Sequence, residues 1–331
     1  MGARLMLSRV AESLYWTARY VERAEDVTRL LDVNFHTLLD TQVDDRGQAW
    51  LQIVQLLGDD ERYAEHFDEV TAVNVSDWVL WHAGNPNAVA NCVTLARENA
   101  RSVREQISGE MWEAINKLFL LVRGANHRAV SRGPHAFFEA VRNGAHLFQG
   151  AADATMTHGD PYEFIRLGLQ LERAATTVRV VGACYPAAVS LGDDDPARAQ
   201  QLIALLKSCS AFEAFIKRHG TLFEPTSIAE QLIRSPDFPR AARSCLTTSL
   251  DAVSRISSDQ GSPHRILGRL VAELEYGEVS DASGPSVART ARDLLSGIHA
   301  AGEAITKAYF SSQALPSAAV AMQEAQQQQC G

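Results

Sequence analysis

Lysine is scarce in this sequence of 331 residues, because only four of its 31 basic residues are lysines and the other 27 are arginines. Two hypotheses explain the excess of arginine over lysine. One is a GC-rich genome, and the other is a need for planar guanidinium groups that bind carboxylates through two parallel hydrogen bonds. Aromatic residues make up only 7% of the chain, yet hydrophobic residues make up 46%, which excludes a disordered protein. The net charge of −9 argues against a general nucleic-acid binder.

Paired cysteines and long apolar runs are missing as well. The five cysteines are widely spaced and form no Cys-x-x-Cys pair, which argues against a secreted disulfide scaffold and a zinc or iron–sulfur knuckle. The chain has neither the 18 or so consecutive apolar residues needed to cross a bilayer nor a secretory signal pattern at residues 1–10. We therefore expect a cytoplasmic protein without a membrane or nucleic-acid partner.

Motifs of common enzyme classes are also absent. The glycines do not fit a phosphate-binding loop, and no Glu-x-x-His pair places two metal ligands on one helical face. Cys209 has no nearby base in the sequence that would make it a nucleophile. The sequence thus predicts no bound cofactor and no metal, and it favours a non-catalytic role while leaving an enzymatic one open.

Apolar residues recur with helical spacing along almost the whole chain, which predicts an all-α, multi-helix bundle. We expect one domain at 1–310, built as a pseudo-repeat of two related halves at 1–150 and 151–310, and a polar, disordered tail at 311–331. Asn85, Asp160 and Asp195 are predicted to cap helices that begin near a proline. The predicted helices are 5–41, 48–57, 60–71, 85–104, 110–128, 135–149, 160–184, 196–206, 211–218, 227–234, 241–257, 264–276 and 285–310.

The two halves share one charged pattern. Glu22-Arg23 is followed by Arg29, and Glu172-Arg173 is followed by Arg179, with an offset of 150 residues throughout. On a helical wheel these glutamates and the later arginines flank the apolar stripe of their helices. Two helical turns, about 10.5 Å, separate each glutamate from the later arginine, so a partner on a facing helix is favoured. We therefore predict that Glu22 pairs with an arginine of the second half.

Two further groups of charged residues leave alternatives open. Glu25 lies on the apolar stripe, so it is either a binding or acid–base carboxylate with a shifted pKa or part of a buried ion-pair network. Arginines at one border of a later stripe would either clamp a phosphate or an acidic peptide, or pair with the glutamates above. This middle set, with Asn99 on the opposite border, comprises Arg97, Glu98, Asn99, Arg101 and Arg104.

Three ordered motifs span most of the chain. They comprise Met6–Trp16, Arg19–Glu25 and Arg29–Asp32; then Ala96–Glu105, Glu110–Glu113 and Asn116; then His158–Asp160, Phe164, Leu167-Gly168 and Leu171–Ala174. Together they resemble the bacterial alpha-E family. The chain differs from that family at Leu169 and Gln170, where a basic or aromatic pair is common.

The resemblance implies a wholly helical fold and a particular set of partners. Alpha-E proteins are typically encoded beside, or fused to, a circularly permuted ATP-grasp protein, often with a transglutaminase-like protease nearby. The partner would then hold ATP, and the chain itself would be a non-catalytic helical partner or peptide-binding subunit of an amide-bond ligase. The alternatives are an enzyme that uses the central carboxylates, and a purely structural scaffold.

Overall fold

Residues 8–40, 46–192, 195–277 and 282–311 are described by a computed structural model, and within these ranges the chain forms helices and no strand. The predicted all-α fold is therefore confirmed. Among the described helices, none has the length and apolar content required to cross a membrane. The predicted tail at 311–331 lies outside the described residues, apart from Ser311.

The helices follow one another along the chain with short connections. The first half forms α1 (Ser8–Asp40), α2 (Arg46–Leu57), α3 (Asp60–Ala64), α4 (Ala72–Leu80), α5 (Val89–Ser102), α6 (Gly109–Arg123), α7 (His127–Arg132) and α8 (His135–Thr155). The second half forms α9 (Asp160–Ser190), α10 (Pro196–Ser208), α11 (Phe212–His219), α12 (Pro225–Ala229), α13 (Ala242–Ile256), α14 (Ser262–Tyr276) and α15 (Gly284–Ile305). Two π-helical turns, Glu230–Arg234 and Thr306–Phe310, follow α12 and α15.

The two long helices α1 and α9 pack against each other at the centre of the fold. Their apolar stripes are buried on both helices, as Leu14, Val21 and Leu171 show. A glycine permits the close approach, because a Cβ atom at Gly168 would lie 2.3 Å from the carbonyl oxygen of Tyr15. Side chains on the facing surfaces of α1 and α9 are thus brought within hydrogen-bond distance.

Each long helix also completes a group of four. Helix α1 packs on α5 and α8, and α6 packs on both of these; α9 packs on α13 and α15, and α14 packs on both of these. The connecting helices differ, since α2–α4 have 12, 5 and 9 residues and α10–α12 have 13, 8 and 5. A repeat of the two complete halves stays a prediction.

Two of the three predicted caps are wrong. Helix α5 begins at Val89, and Asn85 instead donates its side-chain amide to the carbonyl of Trp78, 3.1 Å away. Asp160 is the first residue of α9, whose N-cap position is Gly159 and has no side-chain cap. The third cap is confirmed, because Asp195 accepts a hydrogen bond from the backbone of the second residue of α10.

Some predicted helices also have different ends. The segment 60–71 is helical only to Ala64, and α4 was not predicted at all, although the Thr71 hydroxyl caps it by accepting from Asn74. The predicted helix 110–128 ends before Gly124. Helix α9 continues six residues beyond Cys184 and includes a proline. Local sequence patterns at these positions are compatible with more than one helix end, and contacts with other helices determine which end forms.

Candidate functional site

The two Glu-Arg dipeptides of α1 and α9 face each other and exchange ion pairs. Arg173 Nε donates to Glu22 Oε1 at 2.8 Å, and Arg23 Nε donates to Glu172 Oε1 at 2.7 Å. Both carboxylates are buried. The predicted pairing of Glu22 with an arginine of the second half is confirmed, and the reverse pairing accompanies it.

An amide side chain completes each pair. Gln149 of α8 donates to Glu22 Oε2 at 2.7 Å and accepts from Arg173 Nη2 at 2.8 Å. On the other side, Asn87 accepts from Arg23 Nη1 at 2.6 Å. Both guanidinium groups are therefore held in one orientation by two partners each, which reduces the entropy lost on pairing.

A second arginine reaches each of these glutamates. Arg19 Nε lies 2.7 Å from Glu172 Oε2, and Arg240 Nη1 lies 2.9 Å from Glu22 Oε1. Arg240 precedes α13, and its backbone carbonyl accepts a hydrogen bond from the Thr177 hydroxyl at 2.8 Å. This bond fixes the segment that carries Arg240 onto α9.

Arg240 also joins the glutamate pairs to two further acids of α1. Its Nη2 donates to Glu25 Oε2 at 2.8 Å and its Nη1 to Asp26 Oδ1 at 2.9 Å. Arg29 pairs with the same two carboxylates, and His146 Nε2 lies 3.3 Å from Glu25. We call the whole set the Arg/carboxylate cluster; it comprises Glu22, Glu25, Asp26 and Glu172 with Arg19, Arg23, Arg29, Arg173 and Arg240.

The paired glutamates stay ionised although they are buried. Burial alone would raise the pKa of Glu22, but the guanidinium groups of Arg173 and Arg240 hold the pKa below its ordinary value. Burial likewise opposes ionisation of Glu172, and its two arginines again lower the pKa. Carboxylates with such low pKa values exchange no proton near neutral pH, so both are unsuited to acid–base chemistry.

Asp26 behaves differently from the glutamates. Burial raises its pKa to about 7, against the opposing attraction of Arg240. Its Oδ2 atom accepts no hydrogen bond from the described part of the chain, and the Thr176 hydroxyl lies near the carboxylate. The protonation of Asp26 therefore changes near neutral pH.

A cavity of about 110 Å³ adjoins the cluster between α1 and α9, with α2 forming one side. Arg23, Asp26 and Glu172 line it, together with Arg179 of α9. Arg179 makes no ion pair or hydrogen bond with any described residue, whereas Arg29, its counterpart 150 positions earlier, pairs with Glu25 and Asp26. Burial lowers the pKa of Arg179, and nearby Arg23 and Arg19 lower it further.

The middle charged set lies elsewhere. Arg97 donates to Asn116 and to Glu98, and its guanidinium group stacks on the ring of Phe119 at 4.6 Å. Glu98 is 44% exposed and pairs with Arg101, which is 66% exposed. The expected pairing of these arginines with the buried glutamates is therefore wrong: the face of α5 that meets α1 carries small apolar side chains.

The remaining residues of that set make no ion pair or hydrogen bond with the cluster among the described residues. Arg104 is exposed and donates to the Ile107 carbonyl, and Asn99 is half-buried on α5. Of the twelve residues predicted as one charged cluster, six belong to the Arg/carboxylate cluster and Arg179 adjoins it. The six are Glu22, Arg23, Glu25, Arg29, Glu172 and Arg173.

Two groups of side chains have the spacing of metal ligands. Glu22, Glu25 and Asp26 offer oxygens within 4.8 Å of one another, but arginines already occupy these carboxylates and would repel a cation. Residues Asp32, His36 and His135 form the second group.

The second group links α1 to α8. Asp32 Oδ2 accepts from Arg142 at 2.9 Å and Oδ1 lies 2.9 Å from His135 Nδ1, while His36 Nδ1 lies 2.7 Å from the Asp32 carbonyl oxygen. The guanidinium group of Arg142 neutralises the carboxylate. We therefore interpret this group as a tie between the two helices.

Sequence reasoning missed several members of the site. Arg240 lies in a loop, 214 residues from its partner Asp26, so no periodic pattern identifies it. Asn87 and Gln149 carry no charge, so a search for patterns of charged residues does not find them. Arg19 lies within the first family motif and could have been found there, because it is one turn before Arg23 on the same helix face.

Fold and site together define an all-helical protein organised around a buried network of arginines and carboxylates. A family model for Alpha-E, described as a predicted alpha-helical domain with a conserved ER motif, matches residues 6–310. The chain belongs to the Alpha-E family. Two of the Glu-Arg dipeptides in the sequence, Glu22-Arg23 and Glu172-Arg173, form the centre of the cluster.

Curated relatives are found among mycobacteria. The chain is 23% identical over 319 residues to an uncharacterized protein of Mycobacterium bovis and, to the same extent, to one of Mycobacterium tuberculosis. The match covers 88% of this chain and 35% of each relative, so the chain spans about a third of their length. No solved structure matches the chain.

Proposed function

We propose that this chain is a non-catalytic, substrate-binding helical partner in an ATP-grasp-dependent system that forms peptide or other amide bonds. The ATP-grasp partner follows from the resemblance to the alpha-E family, whose members are encoded beside such proteins. The observation that carries the binding role is the cavity beside the cluster, where Arg179 presents an unpaired guanidinium group.

The state of the central glutamates favours binding over chemistry. Glu22 and Glu172 are saturated by arginine and held ionised, so they stabilise the arrangement of α1 and α9 without exchanging protons. A rigid, buried frame of this kind suits a site that must present Arg179 in a constant position. The ATP-dependent step would take place on the partner.

The proposal is tested by reconstitution. The chain is expected to co-purify with a circularly permuted ATP-grasp protein from the same organism, and omission of the chain is expected to abolish ATP-dependent amide formation. Arg179→Gln should lower this activity, whereas Arg218→Gln, which changes an exposed arginine on α11, should leave it unchanged. A partner that is fully active alone would refute the proposal.

A second candidate function, an enzyme in its own right, is favoured by one observation. Asp26 lines the cavity and has a pKa of about 7, which suits a general acid or base. Glu25, the residue expected for this role, is occupied by Arg29 and Arg240. If the chain is an enzyme, Asp26→Asn should abolish turnover while the fold, measured by circular dichroism, is retained.

A further inference from the structure

The cavity lies where the two halves of the charged pattern differ. On α1, Arg29 pairs with Glu25 and Asp26; the positions 150 residues later, which precede Arg179 on α9, are Ala175 and Thr176. The second arginine therefore has no carboxylate three or four residues before it on its own helix. The space beside Arg179 contains a cavity, whereas the corresponding space beside Arg29 holds the side chains of Glu25 and Asp26.

The polar lining of the cavity has an unpaired guanidinium group and one carboxylate oxygen without a hydrogen bond. Arg179 is unpaired, and Asp26 Oδ2 accepts no hydrogen bond within the described residues. The other two charged lining residues, Arg23 and Glu172, bind each other through two hydrogen bonds. A ligand that satisfies this cavity must supply a negatively charged group to Arg179 and a hydrogen-bond donor to Asp26.

The rest of the cavity lining is largely apolar. Val27, Leu30, Leu56, Leu57 and Val180 line it. A cavity of about 150 Å³ holds benzene, which has six non-hydrogen atoms, so the 110 Å³ of this cavity encloses about four or five, and a slightly larger ligand can extend through its opening to solvent. The space therefore fits a small molecule with a short alkyl group.

We propose that this cavity binds a small apolar α-amino acid, with its carboxylate on Arg179, its ammonium group on Asp26 and its side chain against the leucines. The ligand carboxylate takes the place that acidic side chains occupy beside Arg29 in the first half. This inference rests on the proposed function and names the substrate class. A simple anion fits less well, because Asp26 and Glu172 repel it without an ammonium group in return.

Titration calorimetry on the chain alone tests the inference. Glycine, L-alanine and L-valine are titrated at pH 8, and the tightest binder is then compared with its amide and with the acid that lacks the amino group. We expect at least one amino acid to bind. Each analogue should bind at least about tenfold more weakly, because each lacks one charge-assisted contact. Inorganic phosphate should not compete.

Variants locate the binding site. Arg179→Gln and Asp26→Asn should each weaken binding about tenfold or more, and Arg218→Gln should not change it. Absence of binding by all three amino acids, equal binding of the deaminated acid or phosphate, or unchanged binding by folded variants would each overturn the inference. If a variant does not fold, the analogue series on the natural chain still decides. The calorimetry uses neither the partner nor ATP, so a negative result here can be distinguished from a negative result in the reconstitution.

Discussion

Replacement of Glu172 by glutamine tests whether the cluster stabilises the fold. Glu172 accepts hydrogen bonds from Arg19 at 2.7 Å and from Arg23 at 2.7 and 3.1 Å, and its side chain is only 4% exposed. Glu172→Gln removes the negative charge and leaves two guanidinium groups in the interior. Removal of one partner of a buried ion pair typically costs about 3–5 kcal/mol of unfolding free energy.

The same figure converts to a shift in melting temperature. The entropy of unfolding is about 2.1 cal/mol/K per residue, or about 0.6 kcal/mol/K for some 300 folded residues. The expected loss therefore lowers the melting temperature by about 5–8 °C, which differential scanning calorimetry measures directly. Because the pKa of Glu172 is lowered in the folded state, its contribution is present above the unfolded pKa and is lost as the pH falls. The difference in melting temperature between the natural chain and Glu172→Gln should therefore become smaller at acidic pH.

Glu98→Gln is a matched control. Glu98 also pairs with two arginines, Arg97 and Arg101, both at 2.8 Å, but it is 44% exposed on α5. Water solvates these arginines after the substitution, so the melting temperature should hardly change. Equal shifts for Glu172→Gln and Glu98→Gln would refute the argument that burial makes the central ion pairs important.

Three further predictions concern other parts of the structure. Because the pKa of Asp26 is raised to about 7 in the folded state, its contribution to stability is present below its unfolded pKa and is lost as the pH rises through 7. Relative to the natural chain, Asp26→Asn should therefore gain unfolding free energy between pH 5 and pH 8, by at most about 1.4 kcal/mol per pH unit. A difference that stays constant with pH in urea titrations would contradict this. Gly168→Ala should destabilise the fold by about 1–3 kcal/mol in the same titrations, because its Cβ meets α1, whereas Gly150→Ala on α8 meets nothing within 4 Å and should be neutral or stabilising. Thiol reagents at pH 8 should modify three buried cysteines, whose pKa values burial raises to about 12, only after denaturation; these are Cys92, Cys209 and Cys245.

The arrangement of charges suggests how the interior serves the site. The cluster contains four carboxylates and five guanidinium groups, and Arg179 adds a sixth cation at its edge. The carboxylate of a bound amino acid would pair with this sixth cation. Ligand binding is therefore expected to stabilise the packing of α1 on α9 as well as to fill the cavity.

Spacing along the sequence was sufficient to predict the helical class and the positions of the paired glutamates. Helical periodicity depends on spacing along one segment, so it predicted α1 and α9 and placed Glu22 and Glu172 beside their apolar stripes. The offset of 150 residues then predicted that Glu22 binds an arginine of the other half. The close approach at Gly168 makes that pairing possible.

The other side chains that join these glutamates could not be predicted, because they depend on how the helices pack. A helical wheel shows that a side chain borders a buried face, but not which helix covers that face or what the covering helix carries. For this reason Arg97, Arg101 and Arg104 were expected in the cluster and lie outside it, whereas Arg240 enters from a loop. Arg179 illustrates the same limit: its position was predicted from the repeat, but its lack of a partner and its place at a cavity depend on packing between distant segments.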